Sequence, residues 1–120
     1  MSKSVVITSA TRTAIGSLGK SLKNISGDEL GSTVIKETIQ RSKITPSDVD
    51  EVIMGQVLTG GTGQNPARQA AMKSGIPKEK PAYVVNQVCG SGIRSVASGC
   101  LLYTSPSPRD LSTSRMPSSA

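Results

Sequence analysis

Ala82-Tyr83-Val84-Val85-Asn86-Gln87-Val88-Cys89-Gly90-Ser91-Gly92 passes from an apolar, β-branched run into a glycine-rich turn within a few residues. The run suits a strand, and the small residues after it let the backbone bend sharply and leave space beside the cysteine. A helix opening at Gly90 would aim unpaired N–H groups and the positive end of its dipole at Cys89, which favours thiolate over thiol. A strand that bends directly into a helix is half of a β-α unit, so the question becomes whether the alternation repeats upstream.

It does. Ser4-Val5-Val6-Ile7-Thr8 is a short apolar run suited to a buried strand, and Ala10 to Gly27 is a long Gly/Ser/Thr-rich loop of the length usually found at functional or interfacial positions. Ser26-Gly27-Asp28-Glu29 reads as a capping box, after which Leu30, Val34, Ile35 and Ile39 fall on one helical face through about Ser42. Thr45-Pro46-Ser47-Asp48 opens a short helical turn with Thr as cap and Pro at the first position. Glu51 to Leu58 is the second strand, broken by Gly60-Gly61-Thr62-Gly63. Asn65-Pro66 caps a helix over Ala67 to about Lys73 that Gly75-Ile76-Pro77 stops, and Ala82 to Val88 is the third strand. The expected fold is therefore α/β, a layered β-α-β-α-β-α domain with parallel pairing and right-handed crossovers. Sites in open parallel sheets lie beyond the carboxyl ends of the strands, which is where Cys89 sits.

With 120 residues the chain suffices for one domain. It has no Trp or Phe, so the core must be built from Val, Ile, Leu, Ala and Met. The net charge of +6 comes from scattered Lys and Arg with no interleaved aromatic platform. That pattern argues for a solvated surface with a modest attraction for an anionic small molecule, and against nucleic acid. With no His and only Cys89 and Cys100 as thiols, no metal site is expected. No apolar segment is long enough to cross a membrane, and Met1-Ser2-Lys3 leads straight into the first strand without room for a signal peptide, so a reducing cytoplasm is the expected compartment.

Cys89 has two readings from its surroundings. A free cysteine between a strand and a helix is commonly a buried, inert core residue. A thiol at the end of a parallel strand, under a helix start, suits acyl transfer through a thioester. Asn86, three residues before it, either orients a catalytic group or satisfies a backbone group. The Gly60–Gly63 loop lacks the third glycine of a dinucleotide fingerprint and the Lys-Ser or Lys-Thr of a phosphate loop, so it reads as a structural turn. Asp48, Asp50 and Glu51 read as a solvated face rather than an acid-base pair.

From Cys100 the character changes to Ser, Thr and Pro without periodicity, as in a disordered terminus. Residues 100–120 also resemble the in-frame translation of a transposon-type sequencing adapter. Residues 1–99 are accordingly expected to be the native part, a partial domain whose last helix is cut short, with residues 100–120 a non-native tail in which Cys100 has no role.

Asn86-Gln87-Val88-Cys89-Gly90-Ser91-Gly92 resembles the nucleophile motif of the thiolases. Val6 to Gly16, Val52 to Leu58 and Gly63 to Gln69 resemble further thiolase segments, in the family's order, so that the likeness covers residues 3–99. The resemblance implies the amino-terminal part of an acetyl-CoA C-acetyltransferase or close relative, which condenses two acyl-CoA molecules to a 3-oxoacyl-CoA or runs the reverse thiolysis. Cys89 would carry the acyl group, and its own N–H would help hold the oxyanion, while Gly90, Gly92 and Asn86 support the turn. Coenzyme A thioesters would be substrates, with no resident cofactor, and the intact enzyme would be a homodimer or homotetramer. The family also uses a histidine and a second cysteine from its carboxyl-terminal half. This chain has no His, and Cys100 lies in the adapter-like stretch, so the chain by itself is expected to be inactive. The alternative is a non-catalytic half-domain that associates with another chain through its sheet edges.

Overall fold

A computed structural model describes residues 4–104. Helix α1, Gly27–Ser42, starts as the sequence predicts: the Ser26 hydroxyl accepts from the Glu29 N–H. The returning arm of the box differs, because Glu29 Oε1 accepts from the Ser26 hydroxyl at 3.1 Å. The helix ends at Lys43, which adopts a left-handed φ of 58° and donates its N–H to the last turn. A 3₁₀ turn, Pro46–Asp48, follows; the Asp48 carboxylate accepts from the Thr45 N–H at 2.8 Å, which holds its pKa below the ordinary value.

Strand β1, Val52–Gly55, pairs in parallel with β2, Ala82–Val85, with Val52 opposite Ala82 and Gly55 opposite Val85. Between them runs α2, Pro66–Lys73. Asn65 caps it through Oδ1 to the Arg68 N–H at 3.2 Å, and its Nδ2 donates to the Ala82 carbonyl at 2.9 Å, tying helix to strand. Arg68 reinforces the return by donating to the Lys78 and Lys80 carbonyls. Helix α3, Ser91–Thr104, completes the described chain.

Strand alternation sorts the helices onto two faces. Val52 and Met54 of β1, with Ala82 and Val84 of β2, face a core completed by Ile39 of α1, Ala67 and Ala71 of α2, and Ile76. The most buried positions of α1 include Gly31 and Ser32 rather than Leu30 and Val34. Small residues sit there because α2 packs close: a Cβ on Gly31 would lie 3.1 Å from that of Ala70. Asp28 pairs with Lys73 across the same contact, and that hydrogen bond lowers the carboxyl pKa and raises that of the ammonium. The other face of the sheet receives the first turn of α3 at Gly55.

Three expectations need correction. Residues 4–8 form no strand; Val6 and Ile7 are largely exposed. The hydroxyls that follow take acceptors on α1 instead: Ser9 donates to the Thr38 carbonyl at 3.1 Å and Thr11 to the Val34 carbonyl at 3.1 Å. Such side-chain bonds compete with a ladder, and they hold the segment across a groove of about 580 Å³ from β1. The two strands are also shorter than their apolar runs: the pairing ends at Gly55 opposite Val85, with the Gln56 N–H donating to the Val85 carbonyl at 3.1 Å as the last bond between them. Finally, α3 runs past Gly99 through Cys100–Thr104, since extending an existing helix costs little compared with starting one. Tyr103 anchors this extension by donating to the Asp50 carboxylate at 3.0 Å, a contact that raises its pKa. The expected disordered tail otherwise lies outside the described residues.

Candidate functional site

β2 ends at Val85, and in the next five residues the chain turns into α3. Asn86 holds both sides of the bend. Its Nδ2 donates to the Val57 carbonyl at 3.0 Å, beyond the end of β1, and its Oδ1 accepts from the Val88 N–H at 2.9 Å. Of the two readings of Asn86, both arms therefore go to backbone groups. Gly90 N–H donates to the Gln87 carbonyl at 2.9 Å and Ser91 N–H to the Val88 carbonyl at 3.1 Å, closing two successive turns around Cys89. The thiol is exposed.

The sharpest backbone feature is at Val88 and not at a glycine. Its φ is 51°, a left-handed conformation that a β-branched side chain adopts only under constraint, at a cost of about 1–3 kcal/mol. Gly90 and Gly92 have ordinary φ values. A Cβ on Gly90 would just touch the Gln87 carbonyl at 3.4 Å, and one on Gly92 would project into open space. Gly92 thus leaves room above the first turn of α3.

That first turn has chemical consequences. Among the described residues the Gly92 and Ile93 N–H groups meet no acceptor, as the opening of a helix requires. They give the end nearest Cys89 a positive partial charge suited to an anionic sulfur or oxygen. Asn86, Cys89 and Gly90 therefore share one turn at the carboxyl end of the sheet, and Gly92 follows in the first turn of α3.

Two residues escaped the sequence reading. Ser91, 4% exposed, lies beneath the turn with its hydroxyl bonded to the backbone on both sides. Gly55, in the middle of an apolar run, lets α3 approach: a Cβ there would lie 2.5 Å from the Ser91 carbonyl carbon. A lone glycine in a strand pattern is the signal that could have found it.

The other candidate motifs resolve into structure. Gln69 Nε2 donates to the Thr62 and Gln64 carbonyls, each at 2.8 Å, pinning the Gly60–Gly63 loop as a turn. Asp48 and Asp50 serve Thr45 and Tyr103, and Glu51 keeps one carboxylate oxygen buried without a partner among the described residues. Among the described residues no three His, Cys, Asp or Glu side chains gather to hold a metal, and no helix is long and apolar enough to cross a membrane.

Comparisons with known proteins place the chain in a family. The chain is 58% identical over 92 residues to an acetyl-CoA acetyltransferase of Cupriavidus necator, an alignment that covers 77% of this chain and 23% of that protein. It is 57% identical over 93 residues to an acetyl-CoA acetyltransferase sequence of Clostridioides difficile, covering 78% of this chain and 87% of that sequence. The structure superposes on the Acat5 thiolase of Ascaris suum, crystallised in complex with coenzyme A, with a TM-score of 0.68 and 40% sequence identity, over 69% of this chain and 22% of that one. The chain thus spans about a quarter of the length of full-sized curated relatives. The family model described as the thiolase N-terminal domain matches residues 5–102, from the extended amino-terminal segment through Cys89 and into α3, and the chain belongs to the thiolase family.

Proposed function

We propose that Cys89 is the acyl-accepting nucleophile of a thiolase acting on coenzyme A thioesters. The observation that carries this reading is an exposed thiol in a constrained turn, at the carboxyl end of a parallel sheet and beside a helix start with unpaired N–H groups. Its sulfur attacks the acyl carbonyl carbon; the new C–S bond forms as the bond to the coenzyme A sulfur breaks, and coenzyme A leaves with a proton. The Cys89 N–H helps to stabilise the oxyanion of that step. In condensation, a second acyl-CoA gives up an α-proton and its carbon displaces Cys89 from the acyl group, yielding a 3-oxoacyl-CoA. Thiolysis is the reverse.

The relatives' common name favours acetyl groups, and coenzyme A in the Ascaris structure supports the substrate class. The same reading carries no resident cofactor, a place in cytoplasmic lipid metabolism and a homodimeric or homotetrameric enzyme. It also separates binding the acyl group from turning over. The chain has no histidine to activate the thiol, and Cys100 lies eleven residues after Cys89, on α3. The 120-residue chain alone is therefore proposed to be catalytically silent.

Iodoacetamide alkylation, followed residue by residue by mass spectrometry, tests the nucleophile, with the exposed Cys100 as an internal reference. Cys89 is expected to react about tenfold faster or more; equal rates would defeat the reading. Acetoacetyl-CoA and coenzyme A test the silence: loss of enolate absorbance above a Cys89→Ala control would overturn it.

A further inference from the structure

Between β2 and α3 the backbone holds a conformation that its own residues do not favour, since Val88 has a φ of 51°. Something must impose it, and the buried hydroxyl of Ser91 is placed to do so. Ser91 Oγ accepts from the Gln87 N–H at 2.8 Å and donates to the Val88 carbonyl at 2.7 Å. The Ser91 N–H adds a second bond to the same carbonyl at 3.1 Å. One side chain thus bridges the Gln87 N–H and the Val88 carbonyl, spanning the left-handed residue immediately before Cys89. With 4% of its surface exposed, it has little water to exchange these bonds with.

Gly55 fixes the depth of the grip. The first turn of α3 lies so close to β1 that a Cβ at position 55 would be 2.6 Å from the Ser91 carbonyl oxygen and 2.8 Å from the Gly92 nitrogen. Ser91 is therefore carried by a helix seated directly on the sheet, and its hydroxyl transmits the position of that sheet to the cysteine turn. Asn86 secures the same turn from its outer side, through the Val88 N–H. The peptide groups around Val88 are held by two side chains, of which only Ser91 is buried.

We propose that Ser91 is a positioning residue for Cys89: its hydroxyl, seated against Gly55, holds the turn in the conformation that presents the thiol to the unpaired N–H groups of α3. The inference rests on the reading of Cys89 as the nucleophile. Ser91 touches neither substrate nor sulfur; it acts through the backbone. Loss of the hydroxyl should let Val88 relax toward a negative φ and move the thiol away from the helix opening.

The test uses the full chain and the ratio of Cys89 to Cys100 alkylation rates across pH 6 to 10. Ser91→Ala should lower the ratio by about tenfold, while Ser91→Thr, which keeps the hydroxyl, should stay close to the parent. A high parent ratio that a folded Ser91→Ala variant leaves unchanged would overturn this inference alone. A parent ratio near one would overturn it together with the nucleophile reading. If Ser91→Ala loses its helical circular dichroism, Ser91→Thr against Ser91→Val repeats the comparison at constant shape; equal Cys89 rates in that pair would overturn the proposal, and a slower Ser91→Val would uphold it.

Discussion

The chain enters α2 and α3 by junctions that use the same unusual backbone state and opposite residue types. Before α2 the left-handed residue is Asn65, with φ 44°; before α3 it is Val88, with φ 51°. Asparagine tolerates this region and can cap the helix it introduces, which Asn65 does through Oδ1 while its Nδ2 holds Ala82. Valine has no polar atom to cap with and a branched Cβ that resists the conformation. The first junction is thus stable by local preference, and the second by outside support from Ser91, Asn86 and Gly55. Strain concentrated beside an exposed thiol is the signature of a site whose geometry matters more than its stability.

Gly55→Ala should break the second junction most completely and leave the first intact. The added methyl meets backbone, which cannot rotate away as a flexible side chain could. We expect a loss of about 3 kcal/mol in urea unfolding, with Cys89 slowed toward Cys100 in alkylation. Ordinary stability together with unchanged Cys89 reactivity would show that α3 is not seated as described.

Asn65→Ala attacks the first junction. It removes the cap, the tie to Ala82 and the tolerance for positive φ at once, for an expected cost of about 2 kcal/mol. Cys89 reactivity should hardly change, since the second junction keeps its own supports. Val88→Asn sharpens the contrast by carrying the residue type of the first junction into the second. It should raise stability by about 1 kcal/mol, measured by denaturant midpoint, because asparagine accepts the conformation that valine resists. A destabilised variant would mean that the Val88 side chain contributes packing that outweighs its strain.

The same contrast explains what the sequence disclosed. Ser26, Asn65-Pro66 and Gly75 mark helix ends through local chemistry, and the structure places α1 and α2 within a residue of where those signals put them. The location of Cys89 was legible for a similar reason, since an apolar run followed by small residues is a local pattern. The left-handed Lys43 and Val88 were not, because neither residue type advertises a positive φ. Ser91 and Gly55 were missed as a pair because their contact joins distant parts of the chain, and a pattern read along the sequence does not carry it. Residues 4–8 show the converse failure. Their composition suits a strand, but composition cannot say whether a neighbouring edge is within reach, and here the hydroxyls of Ser9 and Thr11 hold the segment on α1.

The smallest predicted effect belongs to the well-supported half of the molecule, at its charged contacts. Asp28, beside Lys73, and Asp48, on the Thr45 N–H, both have pKa values below the ordinary 3.8 when folded. Their contribution is present above that value and fades as pH falls through the lower, folded pKa. Lys73 and Tyr103 lie above their ordinary 10.5 and 10.0, the first through Asp28 and the second through Asp50. Their contribution is complete below those values and is lost as pH rises past them. The denaturant midpoint should therefore be flat from pH 5 to 9 and decline on both sides. Asp28→Asn should remove its share of the acid limb and, because Lys73 loses its partner, of the alkaline limb as well. Since about half of the Lys73 side chain stays in water, the change should be slight and should shrink further in high salt. Cys89 alkylation relative to Cys100 at pH 7 should not respond to Asp28→Asn, because among the described residues no hydrogen bond or ion pair links the Asp28–Lys73 contact to the second junction. A response there would mean that the two junctions are coupled through the sheet, and that the stable half of the molecule helps to hold the strained one.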